Sequence, residues 1–596
     1  MPLRSHLGAA LATLTFASPL AAQAPAAATC PAGRISYVYL DNNSIFDTTD
    51  PELDERFRWA YRTANALHVR TRKWVIRQEL LFRAGDCFDP YLLAESERLL
   101  RAYPFLAQVD VYGVAQPDGS HHVIVDTHDD WSTRVDVRLR IDGGLRMEGV
   151  RLSELNLFGT GQSVGLFYRE RYVTRDYGVT YWTPQVGRTR LDLTASAGRT
   201  RAGNFLQEEI RYPFVGEVGR WSFGETFSRD EQFFDFVVNE NGGEQPPHVL
   251  LPLREKLFDA TVVRRFGERG QAAVVGVGLS VHQLDFPGRV LLAPQGDFDE
   301  RVPADSATAA PALGQAAPRD AVRASVLLGL RNVRWIVRRG LDGLRGDEDV
   351  RLGLDAGFVV GHSIPAFGDD DISLAAHAWG GAAVGRGLLL GRIRAEALRE
   401  LRTAPGRPSW QGVFTEGTAF AYLPPPATGR QTIMLRAEAA GAWRTRTPYQ
   451  LTLGGERGVR GYDLDQFPGG RRLLLTAEDR ILLGWPAPAV FDAGVVVFAD
   501  AGRIWAGDAP WGADSGWRAS AGLGLRVAFP AGGRTPLRID FAWPLERGTR
   551  ARDFQVRLSV GELIGFSAPP GDFQFRRFRP DGIAAGFFGI DARPSN

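Results

Sequence analysis

The sequence is informative first for what it lacks. After Ala24 it has no run of ~18 apolar residues, which excludes a transmembrane helix but leaves open a wall of short membrane-crossing strands. Cysteine is almost absent: Cys30 and Cys87 are the only two. In an oxidising compartment such a pair either bridges or stays as two thiols. Thr29 is a poor residue ahead of a lipidated cysteine. Excess charge is missing too: 70 Lys and Arg against 69 Asp and Glu leave a net charge of +1, so no nucleic acid partner is implied. No phosphate-cradling glycine loop occurs. Gly161-Gln162-Ser163-Val164-Gly165 matches G-x-S-x-G but opens an alternating strand, not the strand-to-helix elbow a hydrolase needs. His121, His122 and His128 sit on a hairpin without cysteines or clustered carboxylates at ligand spacing, so they read as surface residues. No catalytic residue, metal or cofactor is expected, and the chain does not read as an enzyme.

Glycine is plentiful, at 68 residues against a usual ~7%, which points to turns, bends and β structure. Arg4 and His6 precede "LGAALATLTFASPLAA", and Ala22 to Ala24 form a small-x-small cleavage site. Residues 1–24 therefore read as a secretory signal; the competing reading is a short buried helix. Residues 25–131 stand apart. "RISYVYLDNNSIFD" is strand-like. "TRKWVIRQELLFRAGDCFD" spaces Val75, Ile76, Leu80 and Phe82 on one helical face, with Gly85 as the stop. "PYLLAESERLLRAY" is a second helix, and Val109, Val111, Val123 and Val125 alternate about a Pro117-Asp118-Gly119 turn. The order is β-α-α-β-β.

From residue 132 to 566 one pattern repeats. Trp517, Ala519, Ala521, Leu523, Leu525, Val527 and Phe529 alternate with Arg518, Ser520, Gly522, Gly524, Arg526 and Ala528. Leu537, Ile539, Phe541 and Trp543 alternate with Arg538, Asp540 and Ala542. Such strands build either a soluble sandwich or a membrane barrel with lipid outside and water inside. The export signal, the length of the alternating region and aromatics near strand ends (Trp182, Trp485, Trp505, Trp543) favour the barrel. Pattern alone brackets the strand number between 16 and 21. The small-residue, Pro-rich stretch within 286–321 reads as a long mobile extracellular loop.

Four landmarks then resemble a known family in its own order. The β-α-α-β-β unit is similar to a POTRA domain. "NLFGTGQ" (Asn156 to Gln162) is similar to an early barrel turn, "VRGY" (Val459, Arg460, Gly461, Tyr462) to a VRGF/Y signature, and "VVFADAGRIW" to the F-x-D-x-G segment after it. Together they resemble the Omp85 superfamily of BamA/TamA-like surface antigens of the D15 type. The resemblance implies a transmembrane β-barrel of about 16 antiparallel strands over 132–566, behind a POTRA-like periplasmic domain over 25–131, in the bacterial outer membrane. It also implies protein insertion or translocation without a cofactor. The implied partners are outer-membrane lipid, unfolded outer-membrane or secreted protein clients, and periplasmic or lipoprotein partners. A passive channel or receptor on the same fold is the alternative.

In that family the sixth extracellular loop folds into the lumen and its arginine pairs with acids of the wall. Carried over, the arginine is Arg460 and its partners are Glu478 and Asp500. Strand parity supports this separately: Glu478 and Asp500 oppose apolar faces that belong to lipid. Asp479 is the exception in its strand. The sequence departs from the family in having room for a single POTRA unit, an extra stretch from Thr48 to His68, and a tail over 567–596 after the last strand.

Overall fold

The computed structural model describes residues 30–560 apart from 47, 49–54, 142–144, 239–245, 403–408, 424–429, 456–457, 486–489, 534–535, 547 and 551. The signal-like segment, the tail, and Glu456 and Arg457 of the loop lie outside the described residues. Period-two alternation puts consecutive side chains on opposite faces of a strand. Here it closes an antiparallel barrel of 20 strands from Thr133–Ile141 to Gln555–Val560. The odd-numbered residues read as outward-facing are exposed or half-buried, Leu523 at 54% and Val497 at 49% among them, while Asp500, Ser520 and Asp540 are buried within. Asp479 points outward and is held by the Gln431 side-chain amide at 2.9 Å to both carboxylate oxygens.

The strand number corrects the expected 16. Five strands follow the "VRGY" loop, beginning at Arg471, Asp492, Arg518, Leu537 and Gln555. A sixth extracellular loop in a 16-stranded wall would also be followed by five, so the surplus strands lie ahead of the loop. The count was not readable because alternation does not mark where one strand ends. His248–Glu268 and Arg319–Arg339 run for 21 residues each, about twice the ~9–11 a bilayer needs, and short turns join them to their neighbours. The long hairpins rise past the membrane, so His248 to Leu251 are all buried. The stretch expected to be a mobile loop contributes to that cover. Leu291–Ala293 pairs with the His248 strand, and a helix, Ser306–Gly314, is capped by the Asp305 carboxylate accepting from the Thr308 N–H at 2.7 Å.

The N-terminal unit has a three-stranded sheet in the order β1 (Ile35–Asn43), β3 (His121–Asp129), β2 (Leu106–Ala115), with β1 and β3 parallel. Of three helices, α2 (Lys73–Glu79) and α3 (Pro90–Arg101) pack into the sheet core, while α1 (Arg58–Leu67) packs Tyr61 against Ile45 and Phe46. The extra stretch thus supplies a third helix. α2 ends before Leu80, whose backbone is extended; Phe82 still reaches the core, from the loop beyond. Cys30 and Cys87 form a disulfide with a Cα–Cα distance of 5.2 Å. Trp182 does not sit in a girdle at the membrane interface. It is buried in the core of this unit, 6.3 Å from the Tyr103 ring.

The unit lies across the inner mouth of the barrel, touching turns around the rim. Asn156 Nδ2 donates to Thr71 Oγ1 at 2.7 Å, and the Arg72 N–H to the Gly159 carbonyl at 2.8 Å. Gln185 Nε2 donates to Glu79 Oε1 at 2.8 Å, and the Glu217 N–H to Glu95 Oε1 at 2.6 Å. On the far side Arg101 forks onto Asp349 at 2.8 and 3.0 Å, and Phe46 packs 6.0 Å from Phe529. Burial works to lower the Arg101 pKa, but Asp349 and Glu97 outweigh it and raise the group above its ordinary range. The fork is therefore between full charges.

Candidate functional site: the internal loop and the seam

The loop after the strand Gln431–Trp443 is a hairpin in its own right. Leu451–Leu453 pairs with Phe467–Gly469, and this stem packs Leu451, Leu453, Tyr449 and Phe467 against Leu474 and Ile504 of the wall. Burial of these side chains commits the tip to the lumen. Gly461 allows the reversal there. Its φ is +90°, and an added Cβ would lie 3.0 Å from the Pro544 backbone nitrogen, so no other residue fits without strain.

Reversal at Gly461 delivers Arg460 to the inner wall. Its side chain is 1% exposed. Nε and Nη2 donate to the two Asp500 oxygens at 2.7 and 2.9 Å, and Nη1 to Glu478 Oε1 at 2.7 Å. The guanidinium also lies 3.5 Å from the centroid of the Phe498 ring, an arrangement open to the planar, delocalised arginine rather than to lysine. Asp540 Oδ2, 3.6 Å from Nη1, is a third acid beside it. Sequence reading had placed Asp540 on the polar face of its strand but not beside Arg460, because adjacency across a closed wall depends on register. Arg526 and Arg538 bind Asp540 at 2.7 and 2.9 Å. Arg480 binds Glu478 at 2.9 Å and Asp342 at 3.1 Å. Asp342 belongs to the inner turn after Arg319–Arg339. That turn enters the lumen from the end that carries the N-terminal unit, its backbone N–H groups at Leu341, Asp342 and Gly343 held by the Glu348 carboxylate at 2.8 to 3.0 Å.

The rest of the motif reaches the closing strands. Val459 is fully buried beside Gly502. Tyr462 donates from its hydroxyl to the Ala519 carbonyl at 3.2 Å and accepts at its own carbonyl from Arg557 Nη2 at 3.3 Å. Gln555 Nε2 donates to Asp463 Oδ1 at 2.7 Å. Gln555 and Arg557 belong to the last strand, so the loop grips it from inside. That strand meets the first one through Val556↔Ile141, Arg557↔Arg140 and Leu558↔Leu139. Its other ladder runs unbroken from Leu537↔Val560 to Ala542↔Gln555. Beside the first strand a lumen cavity of about 580 Å³ remains, lined by Arg138, Glu148, Arg169 and Glu170 among others.

Residues 439–563, which hold the loop and the closing strands, match the Omp85 superfamily domain. The chain carries an Omp85 domain. No curated protein matches the sequence. Among solved structures, BamA from Haemophilus ducreyi lacking POTRA domains 1–3 is 13% identical with a TM-score of 0.35, the match covering 88% of this chain and 84% of that one. CdiB from Escherichia coli is 12% identical with a TM-score of 0.43, covering 89% and 76%. Within the matched residues lie Arg460, Glu478, Asp500 and Asp540 as well as the last strand's Gln555 and Arg557, so brace and seam strand belong to one matched segment. Among the described residues no group of three or more metal-type ligands occurs; His121 stacks on Phe88 at 4.0 Å and His122 lies edge-on to Tyr39.

Proposed function

We propose that this Omp85 protein is an outer-membrane assembly or translocation factor that works through the seam between its first and last strands. The observation that carries the reading is a last strand that pairs with the first through Val556↔Ile141, Arg557↔Arg140 and Leu558↔Leu139 and is held from the lumen by Tyr462 and Asp463. A strand edge with few partners is a template for another strand. The loop, fixed by Arg460, keeps the last strand in place while the first strand receives a client. Client burial in lipid and strand pairing supply the free energy, so no nucleotide is required.

Residues 25–131 act as a POTRA-like periplasmic domain in this scheme, and 132–566 as the outer-membrane barrel. Extended clients would add to the edge of β2. Glu97 already accepts the Val111 N–H there at 2.9 Å, which leaves the exposed stretch Tyr112–Ala115 as the accessible edge. Periplasmic or lipoprotein partners would bind on this side. A passive channel is a weaker reading, because the loop and the inner turn occupy the lumen and the N-terminal unit lies across the mouth. Depletion in the native host tests the proposal: the levels of other outer-membrane barrels or of a secreted client should fall. Unchanged levels of all of them, together with lost solute flux, would favour the channel.

A further inference from the structure

The face of the N-terminal sheet turned away from its helices is banded. Register sets Tyr37, His122 and Val114 in one row across the three strands, Tyr39, Ile124 and Tyr112 in the next, and Asp41, Asp126 and Asp110 in a third. Tyr37, Tyr39 and Tyr112 are 52%, 47% and 48% exposed. Among the described residues these two largely apolar rows are open to solvent, which is unusual for a sheet face. The third sets three carboxylates opposite one another, an arrangement that is destabilising unless positive charge covers it. Asn43 and Gln108 donate to Asp126 and Asp110 at 2.9 and 2.7 Å, His128 lies 3.8 Å from Asp126, and Arg339 of the barrel acts on Asp110 from a distance.

We propose that the chain's own C-terminal segment, "GDFQFRRFRP" (571–580), docks on this face as an extended strand. The segment lies outside the described residues, and its sequence carries the complementary bands. Phe573, Phe575, Arg577 and Arg579 fall on one face of an extended chain, in two-residue steps of about 6.6 Å. Tyr37, Tyr39 and Asp41 follow the same step along β1. Two aromatics then lie over the two aromatic rows while Arg577 meets the aspartates, where its fork can engage two carboxylates at once. Chain connection permits it. The last strand runs toward the periplasmic end, and Phe529 at that end touches Phe46 just past β1. From Val560 to Phe573 an extended chain reaches about 40 Å, longer than β1 itself.

The test uses the full-length protein in detergent micelles. Trypsin cleavage after Arg576 and Arg577, followed by mass spectrometry, should be at least tenfold slower in the wild type than in Asp41→Asn/Asp126→Asn, and 1 M salt should speed the wild-type cleavage. A labelled 571–580 peptide should bind full-length Arg577→Glu/Arg579→Glu, whose own tail is released, at least tenfold tighter than it binds the wild type. Equal cleavage rates in wild type and aspartate variant overturn the proposal, as does a peptide that fails to bind the arginine variant. If the aspartate variant converts a dimer to a monomer without changing tail cleavage, the face belongs to a second copy of the chain and the proposal is wrong.

Discussion

Replacing Arg460 by alanine isolates the brace. The change removes three charge-assisted hydrogen bonds of 2.7 to 2.9 Å and the contact with Phe498. The loss is not shared equally among the acids. Glu478 keeps Arg480, and Asp540 keeps Arg526 and Arg538. Asp500 loses both guanidinium donors and retains the residue-460 N–H at 3.2 Å and Ser520 Oγ at 3.5 Å. A buried charge left in that state costs about 3–5 kcal/mol. Arg460→Lys should fall between, since an ammonium cannot fork onto Asp500 while reaching Glu478. Urea-dependent loss of β-sheet circular dichroism in micelles reads the difference. The sharper result is the double variant: Asp500→Ala added to Arg460→Ala removes the stranded charge and should recover about 2 kcal/mol, a coupling expected of contacting residues. A loss under about 1 kcal/mol for Arg460→Ala, the range of an exposed pair, or strict additivity in the double variant, would refute the reasoning.

Other perturbations probe separate links. Gly461→Ala forces a side chain into φ +90° against the Pro544 backbone and should cost about 1–3 kcal/mol by the same urea assay. Gln555→Ala removes the 2.7 Å tie from the last strand to Asp463; amide exchange should quicken in 555–560 and stay unchanged in Asp492–Trp505. Arg101→Ala breaks the fork to Asp349, worth about 2 kcal/mol, and should make α3 several-fold more open to protease while the barrel's thermal transition is unmoved. Serine at Cys30 and Cys87 opens a loop with a sequence separation of 57. The loop-entropy model puts the loss at about 4 kcal/mol, read as a lower Tm for the N-terminal unit.

Much of this architecture was legible because barrel chemistry repeats locally. Alternation assigned Leu523 and Val497 to lipid and Glu478 and Asp500 to the lumen without any knowledge of neighbours. What needed the structure was long-range register. Asp540 reaches Arg460 only because two further strands curve around to place it there. The strand number escaped for the same reason, since the closure of a wall is not written in any one strand. The contacts of the N-terminal unit with the barrel use Asp349, Glu217 and Gln185, which look like ordinary polar residues until the barrel brings them to one rim. The helix at Ser306–Gly314 was passed over because Ala- and Pro-rich composition outweighed the Asp305 cap.

The most direct test of the seam is to lock it. Leu139 and Leu558 face each other across the ladder, and cysteines at both positions would join the first and last strands on oxidation. A control pair at Ala437 and Leu475 crosslinks two strands away from the seam. In proteoliposomes supplied with an unfolded barrel client, the account predicts at least a tenfold loss of client assembly for the oxidised seam pair, recovery on reduction, and no loss for the control. Full assembly activity with the seam covalently closed would contradict it.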